Sequence, residues 1–210
     1  MPVNIAIFYA QEDAILLDKL KSHLRPLQKQ NLINFLSDQN ISAGASWKQE
    51  IEGLTNITHI YLFLVSQYSL NLDYFYSTEV LHIVERHDRG EIHSIPIILR
   101  PVYYQRTALA KLQVLPTDAK PIVTWPDLDE AFLSVASGIK IVALEEANRE
   151  LQRENQELGS YVSSLQEEGQ ELQIELYKLR DKVQTLQKEK QKFEAEIQKL
   201  RKIYKYFKGK

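Results

Sequence analysis

Cysteine is absent from the 210 residues. That removes disulfides, thiol nucleophiles and thiolate-ligated zinc together, and it fits a reducing compartment. Glycine is scarce: none of the 7 stands in a GxGxxG or GxxxxGKS/T pattern, which argues against a dinucleotide-binding hydride enzyme and a P-loop nucleotidase. A GxSxG nucleophile elbow is missing as well. The five histidines are scattered and form no HExxH or similar pair, so no metal site is expected. No apolar run nears the ~18 residues of a membrane span. With a net charge of -2, the chain as a whole carries no electrostatic footprint for nucleic acid. The opening "MPVNIAIFYAQED" lacks the basic region of an export signal. The sequons at Asn40 and Asn56 therefore read as chance, and the expected location is cytoplasmic.

The first two-thirds alternates apolar runs with amphipathic stretches. "VNIAIFY" (Val3 to Tyr9), "LINFLS" (Leu32 to Ser37), "HIYLFLVS" (His59 to Ser66) and "SIPIILR" (Ser94 to Arg100) read as strands, with "KPIVTW" (Lys120 to Trp125) as a fifth. Apolar residues on consecutive positions mark strands covered on both faces. Helical periodicity follows in "DAILLDKLKSHLRPLQ", in "SWKQEIEGL" with Ser46 as N-cap, around Glu79, and in "DLDEAFLSVASGIKIV" capped by Asp127. Strand–helix alternation predicts an α/β fold with a five-stranded parallel sheet and flanking helices over residues 1–143. Ligands of such sheets bind beyond the carboxyl ends of the strands.

From Leu144 the pattern changes to Glu, Gln, Lys and Leu. With Asn148 as heptad position a, position d holds Leu151, Leu158, Leu165, Leu172, Leu179, Leu186, Phe193, Leu200 and Phe207. Residues 144–210 are thus expected to form a coiled-coil oligomerisation helix about 95 Å long. Its apolar stripe needs a partner, most simply a second copy. Leu at d, and the pairs Glu175–Arg180 and Glu196–Arg201, favour a parallel dimer. Against it stand Glu189–Glu194 and an acidic first half followed by a basic second half, with Gly169 and Lys190 as soft a positions. Parallel is the orientation expected. The basic end "KLRKIYKYFKGK" follows the zipper, unlike a bZIP basic region, and reads as a solvated helix end.

Among chemistries, the carboxylates remain. Tyr76, Glu79 and Ile83 at i, i+3 and i+7 are expected to share a helical face. From pattern alone Glu79 reads as a half-exposed helix residue, and His82 as a partly exposed helix histidine. A lone carboxylate does suit cleavage of a nicotinamide N-glycosidic bond. The leaving group there is already cationic and needs no general acid, while an anion stabilises the oxocarbenium-like sugar.

"IAIFYAQED" (Ile5 to Asp13) resembles the first box of bacterial Toll/interleukin-1 receptor (TIR) domains. "FLSDQNISAGASWKQEI" (Phe35 to Ile51) resembles the second box with its BB loop. "DYFYSTEV" (Asp73 to Val80) resembles the helix bearing the family's catalytic glutamate, which falls on Glu79. "IPIILRP" and "KPIVTWPDLDEAF" resemble the later strands and last helix. The chain departs from the family at Ala10 (Ser usual), Gln11 (His in many bacterial members) and Ala43 (Pro usual), and retains Gly44. The resemblance implies a flavodoxin-like sheet and an NAD+ glycohydrolase or cyclase with NAD+ as substrate and no cofactor. It further implies activation by self-assembly and a role in antiphage-type defence or signalling. Glu79 is then catalytic, and Tyr9, Ala10, Asp38, Gly44, Trp47 and Tyr76 are candidate substrate contacts. Some members only recruit other TIR domains, so a non-catalytic adaptor acting through the BB loop, Asp38 to Ser46, is the alternative.

Overall fold

The computed structural model describes residues 2–36 and 53–208. Its elements are β1 (Val3–Phe8), α1 (Ala14–Lys29), β2 (Ile33–Phe35), β3 (Ile60–Val65), α2 (Thr78–Asp88), β4 (His93–Ile98) and α3 (Leu128–Lys208). Among the described residues the strands form one four-stranded parallel sheet in the order β2-β1-β3-β4. The molecule is thus an α/β fold with a long carboxyl-terminal helix. The helix expected over "SWKQEIEGL" lies mostly outside the described residues.

All six residues of β3 are buried, and their alternation explains why both faces are covered. Ile60, Leu62 and Leu64 join Leu17, Leu20, Leu24, Phe132 and Val135 from α1 and α3 in one apolar cluster. Tyr61, Phe63 and Val65 join Phe8, Phe75, Val80 and Ile83 in the other, below α2. Successive strand side chains point to opposite faces, so a strand between two helical layers must be apolar throughout. Phe8 stacks on Phe63 with ring centroids 4.9 Å apart, and Phe75 meets Phe63 edge-on at 5.9 Å. The connections diverge between β1 and β3: β1 leads outward to β2 through α1, and β3 leads the other way to β4 through α2.

Four strands stand where five are expected. Lys120–Trp125 yields only a 3-10 turn, Ile122–Thr124. The edge of β4 is instead touched piecemeal. Leu115 makes an isolated parallel bridge to Ile97, the Ile98 N–H donates to the Leu115 carbonyl at 2.9 Å, and the Val123 N–H donates to the Leu99 carbonyl at 3.1 Å. Pro116, Pro121 and Pro126 supply no N–H and hold φ near that of a turn, so a ladder cannot propagate between these contacts. Gly138 lets α3 close on this edge, because a β-carbon there would lie 2.7 Å from a Leu115 methyl.

α3 starts where Asp127 is expected to cap it, with the Asp129 N–H donating to Asp127 Oδ1 at 2.8 Å. The chain divides into two compact units, Met1–Leu151 and Gln152–Lys210. Within the first, α3 buries Ala131, Phe132, Val135, Ile139 and Ala143. Along the second, the side chains described are exposed.

Candidate functional site

β3 leaves the sheet at Val65, and two short 3-10 turns, Ser69–Asn71 and Asp73–Tyr76, carry the chain to α2. Leu70 and Phe75 anchor that passage in the core. Ser77 then takes an extended backbone (φ -76, ψ 161), and its hydroxyl accepts the Val80 N–H as the N-cap of α2. Glu79 therefore sits in the first helical turn, where the unpaired N–H groups and the positive end of the helix dipole favour a carboxylate. It is half-buried and accepts a hydrogen bond from Thr78 Oγ1 at 3.2 Å.

The expected face shared by Tyr76, Glu79 and Ile83 does not form. Tyr76 belongs to the turn before the cap and is 60% exposed, whereas Ile83 is buried. The N-cap at Ser77 breaks the helical phase between them. His82 lies 3.8 Å from Glu85 on an exposed face. At the end of β1, Tyr9 and Ala10 are buried, 7% and 1% exposed. Burial pushes the Tyr9 phenol above its usual range, and the Asp18 carboxylate adds to this. Asp38, Gly44, Trp47 and the BB loop lie outside the described residues. A hollow of about 360 Å³ lined by Asp18, Lys21, Arg25 and Phe35 is open beside α1; Glu79 is not part of it.

The carboxyl edge also holds a network that sequence reasoning passed over. Asp13, fully buried, accepts a hydrogen bond from Ser66 Oγ and one from Arg100 Nε at 2.8 Å. The Ser66 hydroxyl in turn accepts the Tyr68 and Ser69 N–H groups, each at 3.2 Å. Ser69 Oγ receives the Ser66 N–H at 2.9 Å. Arg100 lies over the Tyr68 ring, 5.5 Å from its centroid. The ends of β1, β3 and β4 are thus tied together around one compensated buried charge. It rigidifies the edge from which the Glu79 segment departs. Asp13 and Arg100 both occur in the motifs quoted above, and an acidic residue just past a buried strand was the available signal.

A second charged group lies in the same unit, on the first residue of β4. Glu146 Oε2 is 3.2 Å from His93 Nε2 and 2.9 Å from an Arg149 Nη, and Arg149 also donates to the Gly90 carbonyl at 3.1 Å. Burial lowers the His93 pKa below its usual 6.5, outweighing the opposite pull of Glu146, while Arg149 and His87 add to the lowering. Among the described residues no cluster of His, Asp and Glu could hold a metal, and no helix is long and apolar enough to cross a membrane.

The class defined by these features is a parallel α/β protein whose connections diverge between two central strands, with a rigid charged knot and a helix-capped carboxylate at the carboxyl edge. No family model matches the chain. It is 39% identical over 140 residues to an uncharacterized protein, y4lF, of Sinorhizobium fredii (strain NBRC 101917 / NGR234). That match covers 67% of this chain and 43% of the relative, so the chain spans less than half the length of the protein it resembles. No solved structure matches.

Proposed function

We propose that the chain is a TIR-domain enzyme that cleaves the nicotinamide–ribose bond of NAD+, with Glu79 as its catalytic carboxylate. The observation that carries this reading is the place of Glu79: in the first turn of α2, after the central strand β3, half-buried at the carboxyl edge. The strand order β2-β1-β3-β4, with the Leu115 bridge in the fifth position, supports the flavodoxin-like sheet of that family. In the reaction, the ribose–nitrogen bond breaks and its electron pair leaves with nicotinamide. Glu79 faces the cationic sugar carbon, and water or a second group of the substrate then captures that carbon, giving linear or cyclic ADP-ribose. Activity follows assembly of the domains, promoted by pairing of the helix beyond Leu151, in a cytoplasmic defence or signalling role.

The test is NAD+ loss by the purified full chain across a range of protein concentrations, with products identified. Wild type consumes NAD+ increasingly per molecule as concentration rises. Glu79→Gln, which keeps size and polarity, loses at least ~100-fold of that rate, as removal of an electrostatic stabiliser does. Equal turnover in both proteins removes Glu79 from the mechanism.

One observation favours the adaptor reading. Tyr9 and Ala10, two expected substrate contacts, are buried, while the helix carries a long exposed apolar stripe suited to protein contact. No turnover by the wild type in any assembled state selects the adaptor.

A further inference from the structure

The helix from Gln152 onward presents its d residues to water: Leu158, Leu172 and Leu200 are each at least 60% exposed. Gly169 and Lys190 both lie within the single helix α3. Charge is divided along it. Gln152 to Tyr177 holds six acidic residues and one basic, and Lys178 to Lys208 holds eleven basic and four acidic.

We propose that this helix pairs with a second copy of the chain in antiparallel orientation, with the crossing point between Tyr177 and Lys178. The occupant of the stripe is the same helix reversed, so that each acidic half lies along a basic half. In a parallel pair the acidic halves lie side by side, as do the basic halves, and both repel.

The core layers give the same answer from shape. An antiparallel coil sets each a residue opposite a d residue of its partner. A register joining Leu176 to the partner's Leu179 follows from the crossing point. It also places Gly169 opposite the partner's Leu186 and Lys190 opposite the partner's Leu165. Nothing lies within 4 Å of where a Gly169 side chain would begin. A parallel pair sets that space against a second Gly169 and leaves a gap; reversed, the space faces a leucine. A parallel pair also buries Lys190 against Lys190. Reversed, its alkyl stem lies on a leucine while its amine reaches the acidic half that holds Glu167 and Glu168. Within the helix, Lys190 pairs weakly with Glu194, 3.8 Å away with both partners exposed.

A consequence for regulation rests on the proposed function, whereas the pairing itself does not. Each sheet-bearing unit precedes its helix in the chain, so antiparallel pairing puts the two units at opposite ends of the coil. Dimerisation alone then does not bring two catalytic domains together. It makes each dimer a bivalent link, and assembly requires contacts between dimers.

Because the chain has no cysteine, directed cross-linking gives a direct test. Full-length Leu158→Cys and Ile197→Cys, made with different mass tags, are mixed and mildly oxidised. The antiparallel register predicts a disulfide between residue 158 of one chain and 197 of the other, with loss of both homodisulfides. Homodisulfides at 158 or at 197, or absence of any cross-link, overturn it. The unmodified chain supplies a second readout by sedimentation at rising salt. Dimer affinity falls if opposite blocks attract, and unchanged or tighter association overturns the proposal. Neither measurement involves NAD+, so failure here and failure of the enzymatic reading are separate results.

Discussion

The two units of this chain use the same apolar residues for opposite purposes. Leu62 in the sheet is fully buried and Leu172 in the helix is 62% exposed. Within Met1–Leu151 the core leucines, such as Leu20, Leu24, Leu62 and Leu64, have their neighbours supplied by the same chain. In Gln152–Lys210 the neighbours must come from elsewhere. An isolated helix gains little from propensity alone, and most helical stability comes from packing of its apolar face. The first unit is therefore set by its own core, and the second by protein concentration.

The sharpest way to break this contrast is to make the same kind of cut in both units. Phe63→Ala removes a ring that stacks on Phe8 and meets Phe75 edge-on and is expected to cost about 3–5 kcal/mol at any protein concentration. Leu172→Ala is expected to change monomer stability by less than ~0.5 kcal/mol, since Ala is also a good helix former. Its effect is to weaken self-association. Urea melts at two protein concentrations separate the cases: Phe63→Ala shifts both melts equally, whereas Leu172→Ala alters the dependence on concentration. A concentration-independent loss of several kcal/mol from Leu172→Ala refutes the contrast.

A smaller effect locates the boundary between the two regimes. The sequence places it after Ala143, where the heptads begin. In the structure Glu146, which the heptad numbering puts at the outermost position f, is 2% exposed and sits against His93 and Arg149. A chain ending at Leu151 keeps this group, and one ending at Ala143 loses it. The shorter chain is expected to be less stable by about 1–3 kcal/mol, the usual cost of stripping partners from a buried polar cluster. Equal melts for the two truncations place the boundary at the heptads instead.

Legibility followed the range of the cause. β3 could be read because burial on both faces forces apolar residues at successive positions, a local signature. The helix beyond Leu151 could be read because its repeat is periodic. Lys120–Trp125 has a strand's composition, but the prolines around it decide the outcome by denying donors. Tyr76 was phased with Glu79 because the N-cap at Ser77 looks like any serine until its φ and ψ are known. The Asp13–Arg100 pair joins residues 87 apart, and no pattern within a window reports it. Glu146 is the same kind of case: its surroundings come from β4, so periodicity assigned it to water. For the candidate site, Glu79 was reached by resemblance, and its place at a capped helix start came only from the fold.

The finest probe of the contrast is pH, because the first unit buries a titratable ring and the second leaves its charges in water. His93 binds its proton less readily in the folded chain than its ordinary 6.5, with burial as the largest cause. Between that value and the lower folded one, the unfolded chain holds more protons than the native one, so stability rises with pH there. Full stability is present above about pH 6.5 and is lost as pH falls toward the folded value. Glu146 opposes the trend by attracting the imidazolium, while Arg149 and His87 reinforce it. His93→Gln keeps a polar side chain without a titrating ring and is expected to flatten the fall in Tm between pH 7.5 and 5.5. If the variant melts with a steeper slope, the Glu146 contact outweighs burial; an unchanged slope removes His93 from the pH dependence.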